Sequence, residues 1–237
     1  MRVFHSDDGT LTIDDVIHGQ PEATEILVGL MQEFFPYGWK FAPWLRRRAA
    51  GGAAVDSRFY PHQWLLRVNG EVAGFYIFDY VPGRASGLSM FMGIYPQYRR
   101  LRFGGHSRLA GLLFALSVQQ VADDARALGQ PAPYGLAAEI ETIELVERYR
   151  QYNFYELPVT YYEPIFPDPL VAWHPSLDLT ALQYKRVTLG VFVDQFRPSE
   201  IANPQRLENW VASYLVDFYG LPEESWPMTQ ALASIRT

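Results

Sequence analysis

Between residues 92 and 107 the chain reads Met-Gly-Ile-Tyr-Pro-Gln-Tyr-Arg-Arg-Leu-Arg-Phe-Gly-Gly-His-Ser, and it continues with Leu109, Leu112, Leu113 and Leu116 at helical spacing. A strand that ends at Pro96 thus feeds an Arg- and Gly-rich turn, and the turn feeds a helix. Such a junction leaves several backbone N–H groups unpaired at the positive end of a helix dipole, where an anion binds without needing a side chain. The turn contains Arg99, Arg100, Arg102, Phe103, Gly104, Gly105 and His106. Its expected chemistry is the grip of main-chain amides around 102–106 on a phosphate.

Other chemistries are poorly supplied. There is no cysteine, which removes disulfides, thiolate metal sites and thiol nucleophiles. The five histidines, at 5, 18, 62, 106 and 174, show neither an i, i+4 pair nor an acidic companion at ligand spacing, so no metal is expected. A formal charge of −6 lacks the broad basic face that a nucleic-acid partner needs. The start, Met-Arg-Val-Phe-His-Ser-Asp-Asp, carries charge where a signal peptide is apolar, and no apolar run is long enough to span a bilayer. A cytoplasmic protein without a membrane partner is expected.

At 237 residues and 49% hydrophobic, the chain can bury a sizeable core. Periodic apolar residues after Pro21 predict a helix over 21–35, stopped by Pro36-Tyr37-Gly38, with a second over 41–48 and a mobile Gly/Ala-rich loop over 49–56. Strands are expected over 62–68 and 71–81, joined by Asn69-Gly70, a strong hairpin signal. A third runs over 86–95, with Gly93 marking a bend or bulge. The helix opened by Gly104-Gly105 reaches about Leu128. A strand over 134–141 follows, then a helix over 144–152 closed by Asn153, and strands over 159–166 and 184–193. Between these last two lies a proline-rich loop with Pro169, Trp173 and His174. Asn203-Pro204 starts a tail helix with the stripe Leu207, Trp210, Val211, Tyr214, Leu215 and Phe218. That stripe suits either an edge of the same domain or a homodimer contact. The division expected is a domain over 1–195 and a helical extension over 196–237.

This order of elements resembles the GNAT superfamily of acyl-CoA-dependent N-acyltransferases over 3–193. Two motifs carry the resemblance. Pro96-Gln97-Tyr98-Arg99 followed by Gly104 is similar to the superfamily's Pro-x-x-Arg lead into Arg-x-x-Gly-x-Gly/Ala, and Tyr149-Arg150-Gln151-Tyr152-Asn153-Phe154 to its Tyr-x-x-x-Gly-Phe segment. The order and separation of the two are more specific than either alone. In the register fixed by Pro96 and Arg99, Arg102 stands where the signature has its first glycine. Aligning Leu109 and Leu112 instead makes Gly105 the final glycine and implies one extra residue. A guanidinium at 102 can replace lost amide contacts by its fork of donors, or block the site.

The resemblance implies a mixed α/β fold that binds acetyl-CoA and transfers the acyl group to a small-molecule or peptide amine in a ternary complex. It implies that Tyr149 faces the coenzyme A sulfur, that the turn holds the pyrophosphate, and that the pantetheine arm pairs with backbone of Met92 and Ile94. Glu139 and Glu141, two apart on a strand, would share a face and could take the ammonium proton. The alternative is a solvated strand end, which Glu144 fits best. The aromatic, nearly uncharged segments 37–44 and 173–174, with the loop at Gly51-Gly52, point to an apolar or aromatic acceptor. Two rival functions are a non-catalytic acyl-CoA sensor and a transferase of long acyl chains from coenzyme A or a carrier protein.

Overall fold

The computed structural model describes residues 1–51, 56–168 and 170–235; Gly52 and the rest of 52–55, Pro169 and 236–237 lie outside the described residues. Tight turns set the frame of the sheet. Asn69 and Gly70 both take positive φ, 51° and 85°, the geometry whose twist matches paired strands. From there β3 (Tyr60–Val68) and β4 (Glu71–Val81) zip antiparallel. A second hairpin, β1 (Arg2–Ser6) and β2 (Gly9–Asp15), extends the sheet on the β3 side. It was not expected from the sequence, although Asp8-Gly9 is a turn signal. On the other side β5 (Ser86–Ile94) pairs with β4.

Next in the sheet comes β6 (Leu136–Ile140), parallel to β5, which requires the crossover helix α3 (Leu109–Ala127) between them. Beyond it, β9 (Gln183–Phe192) runs antiparallel and carries both β7 (Phe154–Glu156) and β8 (Tyr161–Ile165). The order is β1-β2-β3-β4-β5-β6-β9-β7.

Both faces are covered. On one, α3 and α4 (Ile143–Arg150) bury Tyr76, Phe78, Leu112, Phe114, Val146 and Phe192. On the other, α1 (Pro21–Phe34) and α2 (Ala42–Gly51) bury Leu65, Phe75 and Ile77. Beside them α5 (Pro198–Ile201), α6 (Pro204–Ala212), a π-helical turn over Ser213–Phe218, and α7 (Trp226–Ile235) close over Leu88, Ala137, Tyr161 and Val191. The tail stripe, apart from the half-buried Phe218, is therefore buried within its own chain. Asn203 caps α6 by accepting from the Arg206 amide at 3.1 Å, a contact worth about 1 kcal/mol. No described helix is long and apolar enough to cross a membrane.

The bulge in the third strand is not at Gly93. Phe78 pairs with Ser89 and Ile77 with Phe91, so Met90 is the residue without an opposite number. An extra residue reverses which side the chain beyond it faces. Leu88 accordingly packs toward the C-terminal helices and Met92 toward α3, while Phe91 meets Phe35 and Phe41 under α1 with rings 5.3 and 4.8 Å apart. Gly93 answers to close packing: a Cβ there would lie 2.7 Å from both the Phe34 and Phe75 rings.

Candidate active site

The parallel pair β5/β6 is short. It holds Gly87↔Leu136, Leu88↔Ala137 and Ser89↔Ala138 and then stops, although β5 continues to Ile94 and β6 to Ile140. The sheet opens at the Met90 bulge, and two groups of candidate side chains lie on either face of that opening.

On the α3 face lies the Arg- and Gly-rich turn. Gly104 and Gly105 do not open the helix. With φ of 58° and 80° they form a reverse turn closed by the His106 amide donating to the Phe103 carbonyl at 3.0 Å, and the helix begins at Leu109. Neither register of the glycine signature therefore puts a glycine at the helix start; Arg108 is there, extended and without a side-chain cap. No acid stands in the first turn, so the leading amides of α3 have no cap. The Phe103 ring is fully buried in the core and anchors the turn, which leaves only its backbone for a ligand. The Arg102 amide is already used, donating to Asp8 Oδ2 at 2.6 Å, while the Arg102 side chain is exposed. His106 borders a cleft of about 190 Å³ with Ser107, Gly111, Tyr152, Asn153 and Asp194. Gly111 is what lets the Tyr152 ring lie against the first turn of α3, since a Cβ there would sit 3.0 Å from it.

Arginines converge on this end. Arg99 is held by Nε donating to the Ile94 carbonyl at 2.8 Å, so that carbonyl already has one donor, whereas the Met92 edge beyond Ser89 faces no strand. Arg150 pairs with Glu156, but none of Arg99, Arg100, Arg102, Arg108 and Arg148 forms an ion pair among the described residues. Sequence reasoning missed Arg108 and Arg148, which belong to no motif. Burial raises the phenols of Tyr149 and Tyr152; Arg148 and Arg99 pull the first back down, Arg108 and Arg148 the second. Tyr149 projects from α4 among Phe114, Phe192 and Phe154, with rings 5.2, 5.6 and 6.2 Å away, and its hydroxyl has no hydrogen bond among the described residues.

On the opposite face stands Glu139, half-buried on β6. It accepts from the Tyr161 hydroxyl at 2.5 Å and from the Tyr219 hydroxyl at 2.7 Å, and Tyr219 lies 3.3 Å from Glu163. Burial first, and then the charge of Glu163, push the Glu139 carboxyl up to about 8 against the pull of the two phenols. Burial and the charge of Glu141 raise Glu163 as well. The expected pairing of Glu139 with Glu141 is not formed. β6 ends at Ile140, so Glu141 leaves the strand, is exposed and is bound by Lys185 at 2.7 Å. Glu144 is exposed in the first turn of α4. Tyr161, Glu163 and Tyr219 were not found from the sequence because β8, which carries the first two, and the segment after the π turn, which carries the third, are both far along the chain from Glu139.

The aromatic segments border this face. Trp44 meets Phe218 at 6.1 Å, the Trp173 amide donates to the Tyr219 carbonyl at 2.7 Å, and His174 is exposed. Tyr37 and Trp39 are exposed, Gly51 ends α2, and Gly52 lies outside the described residues.

No family model and no curated protein matches the sequence. Among solved structures, the chain is similar to a protein from Bacteroides thetaiotaomicron assigned to the GNAT acetyltransferases, with a TM-score of 0.51, 12% identity, and coverage of 89% of this chain and 99% of that one. A GNAT-assigned protein from Desulfovibrio desulfuricans aligns with a TM-score of 0.47 and 12% identity over 77% of this chain and 98% of that one. The architecture is that of the GNAT fold: a mixed, mostly antiparallel sheet with helices on both faces.

Proposed function

We propose that this chain is an acyl-CoA-dependent N-acyltransferase, in the first instance an acetyltransferase, that passes the acyl group directly to an amine with both substrates bound. One observation carries the reading: a single opening in the sheet has uncapped helix amides ringed by unpaired arginines on one face and a carboxyl raised to about 8 on the other. The first suits the phosphates of coenzyme A. The second suits a general base, which works best with a pKa near the working pH. The residues fit the thioester substrate with one exception, the Arg102 amide, which Asp8 occupies.

In this reading the neutral amine attacks the thioester carbonyl carbon, and as the C–N bond forms its excess proton passes to Glu139. The backbone at Met90, which no β4 residue faces, is the donor for the oxyanion. The C–S bond then breaks and the sulfur takes the proton of the Tyr149 phenol, which burial keeps protonated until that moment. Proton exchange with solvent returns Glu139 and Tyr149 to their starting states.

Thermal shift with acetyl-CoA, followed by thiol release against a panel of amines, tests the reading. Saturation at a hundred times Kd stabilises by about 2.7 kcal/mol. Tyr149→Phe should keep that shift and lose about 10²- to 10⁴-fold in kcat. Neither shift nor thiol release would defeat the proposal. Stabilisation without turnover by any amine would assign a binding or sensing domain instead, a reading that the occupied Arg102 amide favours.

A further inference from the structure

The C-terminal segment does more than cover the sheet. Its π-helical turn, Ser213–Phe218, closes with the Tyr219 amide donating to the Tyr214 carbonyl at 2.8 Å. In an α-helix, residues five apart point about 140° away from each other around the axis, so one of these two tyrosines would face away from the sheet. The wider turn brings both inward, with rings 6.5 Å apart and both side chains buried. The Tyr214 hydroxyl donates to the Ser89 carbonyl at 2.6 Å and sits 3.1 Å from that of Ala137, on the last and last-but-one residues of β5 and β6 to pair before the strands part. Tyr219 reaches further along β6, to Glu139. Its backbone is fixed twice, by the π-turn bond and by the Trp173 amide.

We infer that Tyr219, with Tyr161 opposite it, is a positioning residue that holds the Glu139 carboxyl in the opening and sets when it can accept a proton, so that the C-terminal segment is part of the reaction centre. The inference deepens the acyltransfer reading and takes Glu139 as its base. Two phenols on two oxygens leave the carboxylate one orientation, and each donates to the charged form, which favours ionisation. The other groups facing Glu139 act the opposite way or through neighbours: Glu163 on β8 and Glu141 at the strand end disfavour its charge, Lys185 binds Glu141, Lys40 acts on Glu163, and the Tyr214 phenol lies beside it. Removing the Tyr219 hydroxyl therefore moves the carboxyl further from ionising, not closer.

The test is a carboxyl-carbon NMR titration of the full chain labelled at glutamate, with Glu139 assigned by its loss in Glu139→Gln. In the wild type this signal should titrate near 8. In Tyr219→Phe, which keeps the ring, the midpoint should rise by about half to one pH unit, the equivalent of one hydrogen bond. Tyr161→Phe, on a different element, should move it the same way and decides the matter should the first variant fold poorly. In the thiol-release assay the acid limb of kcat/KM should move up by the same interval in Tyr219→Phe, with activity recovered at higher pH. A midpoint unmoved in the folded variants, or a uniform loss of rate at every pH, overturns the inference. Absence of thiol release from the wild type removes the acyltransfer reading alone, and the titration still decides whether Tyr219 governs Glu139.

Discussion

Two titratable centres in this molecule are both desolvated by the fold and resolve that cost in opposite ways. His62, on β3, is gripped by Asp15 Oδ2 at 2.6 Å and Asp124 Oδ2 at 2.9 Å and stacked on Phe78 at 4.7 Å. Burial alone would drive the imidazolium to lose its proton, but the two carboxylates overcome that and raise it to about 9. Glu139 forms no ion pair among the described residues; two phenols donate to it, two further carboxyls oppose its charge, and it is held short of ionising. The partners decide the outcome, not the depth. The first centre is a closed clamp that ties β2 and β3 to α3; the second is left able to exchange its proton at the working pH.

The largest effect follows from opening the clamp. His62→Gln leaves two carboxylates without their cation, and should cost about 3–5 kcal/mol in urea unfolding at pH 6. The pH dependence has a definite sign. The folded pKa lies above the unfolded value of 6.5, so the stabilisation is complete below 6.5 and disappears as the pH rises through about 9. For the wild type that window is worth about 3 kcal/mol, and it should be absent from the variant. A flat wild-type profile between these limits would mean that the imidazole is neutral and the clamp is only a pair of hydrogen bonds.

Glu139→Gln should do the reverse. The folded pKa, near 8, is above the ordinary 4.5, so the wild type loses stability as the pH rises between these values, and a neutral side chain avoids that loss. At pH 9 the variant should melt above the wild type while thiol release falls about 10²- to 10⁴-fold. A variant that melts lower at pH 9 would mean that the carboxylate is a structural member like Asp15, and the contrast between the two centres would fail.

The sequence displays some of this and hides the rest for physical reasons. Asn69-Gly70 is legible because few residue pairs tolerate two left-handed positions in succession, and both take them here. The Arg- and Gly-rich turn is legible in place but not in shape: a Gly-Gly pair ahead of a leucine period looks the same whether it opens a helix or closes a reverse turn. The true start, Arg108-Leu109, carries no capping residue to mark it. Glu139 and Glu141 share a face only while the strand lasts, and it ends at Ile140, two residues before Thr142 caps α4. The tail stripe keeps α period as far as Phe218, so the π turn changes only where Tyr219 points, and periodicity has no residue left with which to register it. Arg108, Arg148, Glu163 and Tyr219 gain meaning from neighbours distant in sequence, which no spacing encodes.

A third carboxylate carries the contrast to the surface. Asp8, in the β1–β2 turn, holds one main-chain hydrogen bond, from the Arg102 amide, and is exposed to solvent. It has neither the cation that fixes Asp15 nor the burial that raises Glu139, so it should yield most easily to a competing anion. Its effect on acetyl-CoA is the smallest of those considered, since one hydrogen bond to an exposed group is worth about 1 kcal/mol, or about five-fold in affinity. Asp8→Ala frees the amide and removes a negative charge, and should tighten binding about two- to five-fold by calorimetry; Asp8→Asn keeps an acceptor on the amide and should recover only the part due to charge, a part that shrinks with added salt. Weaker binding in Asp8→Ala would mean that the carboxylate is what shapes the turn for its ligand, in which case an exposed, singly bonded acid counts as structure and the rule drawn from the buried pair does not reach the surface.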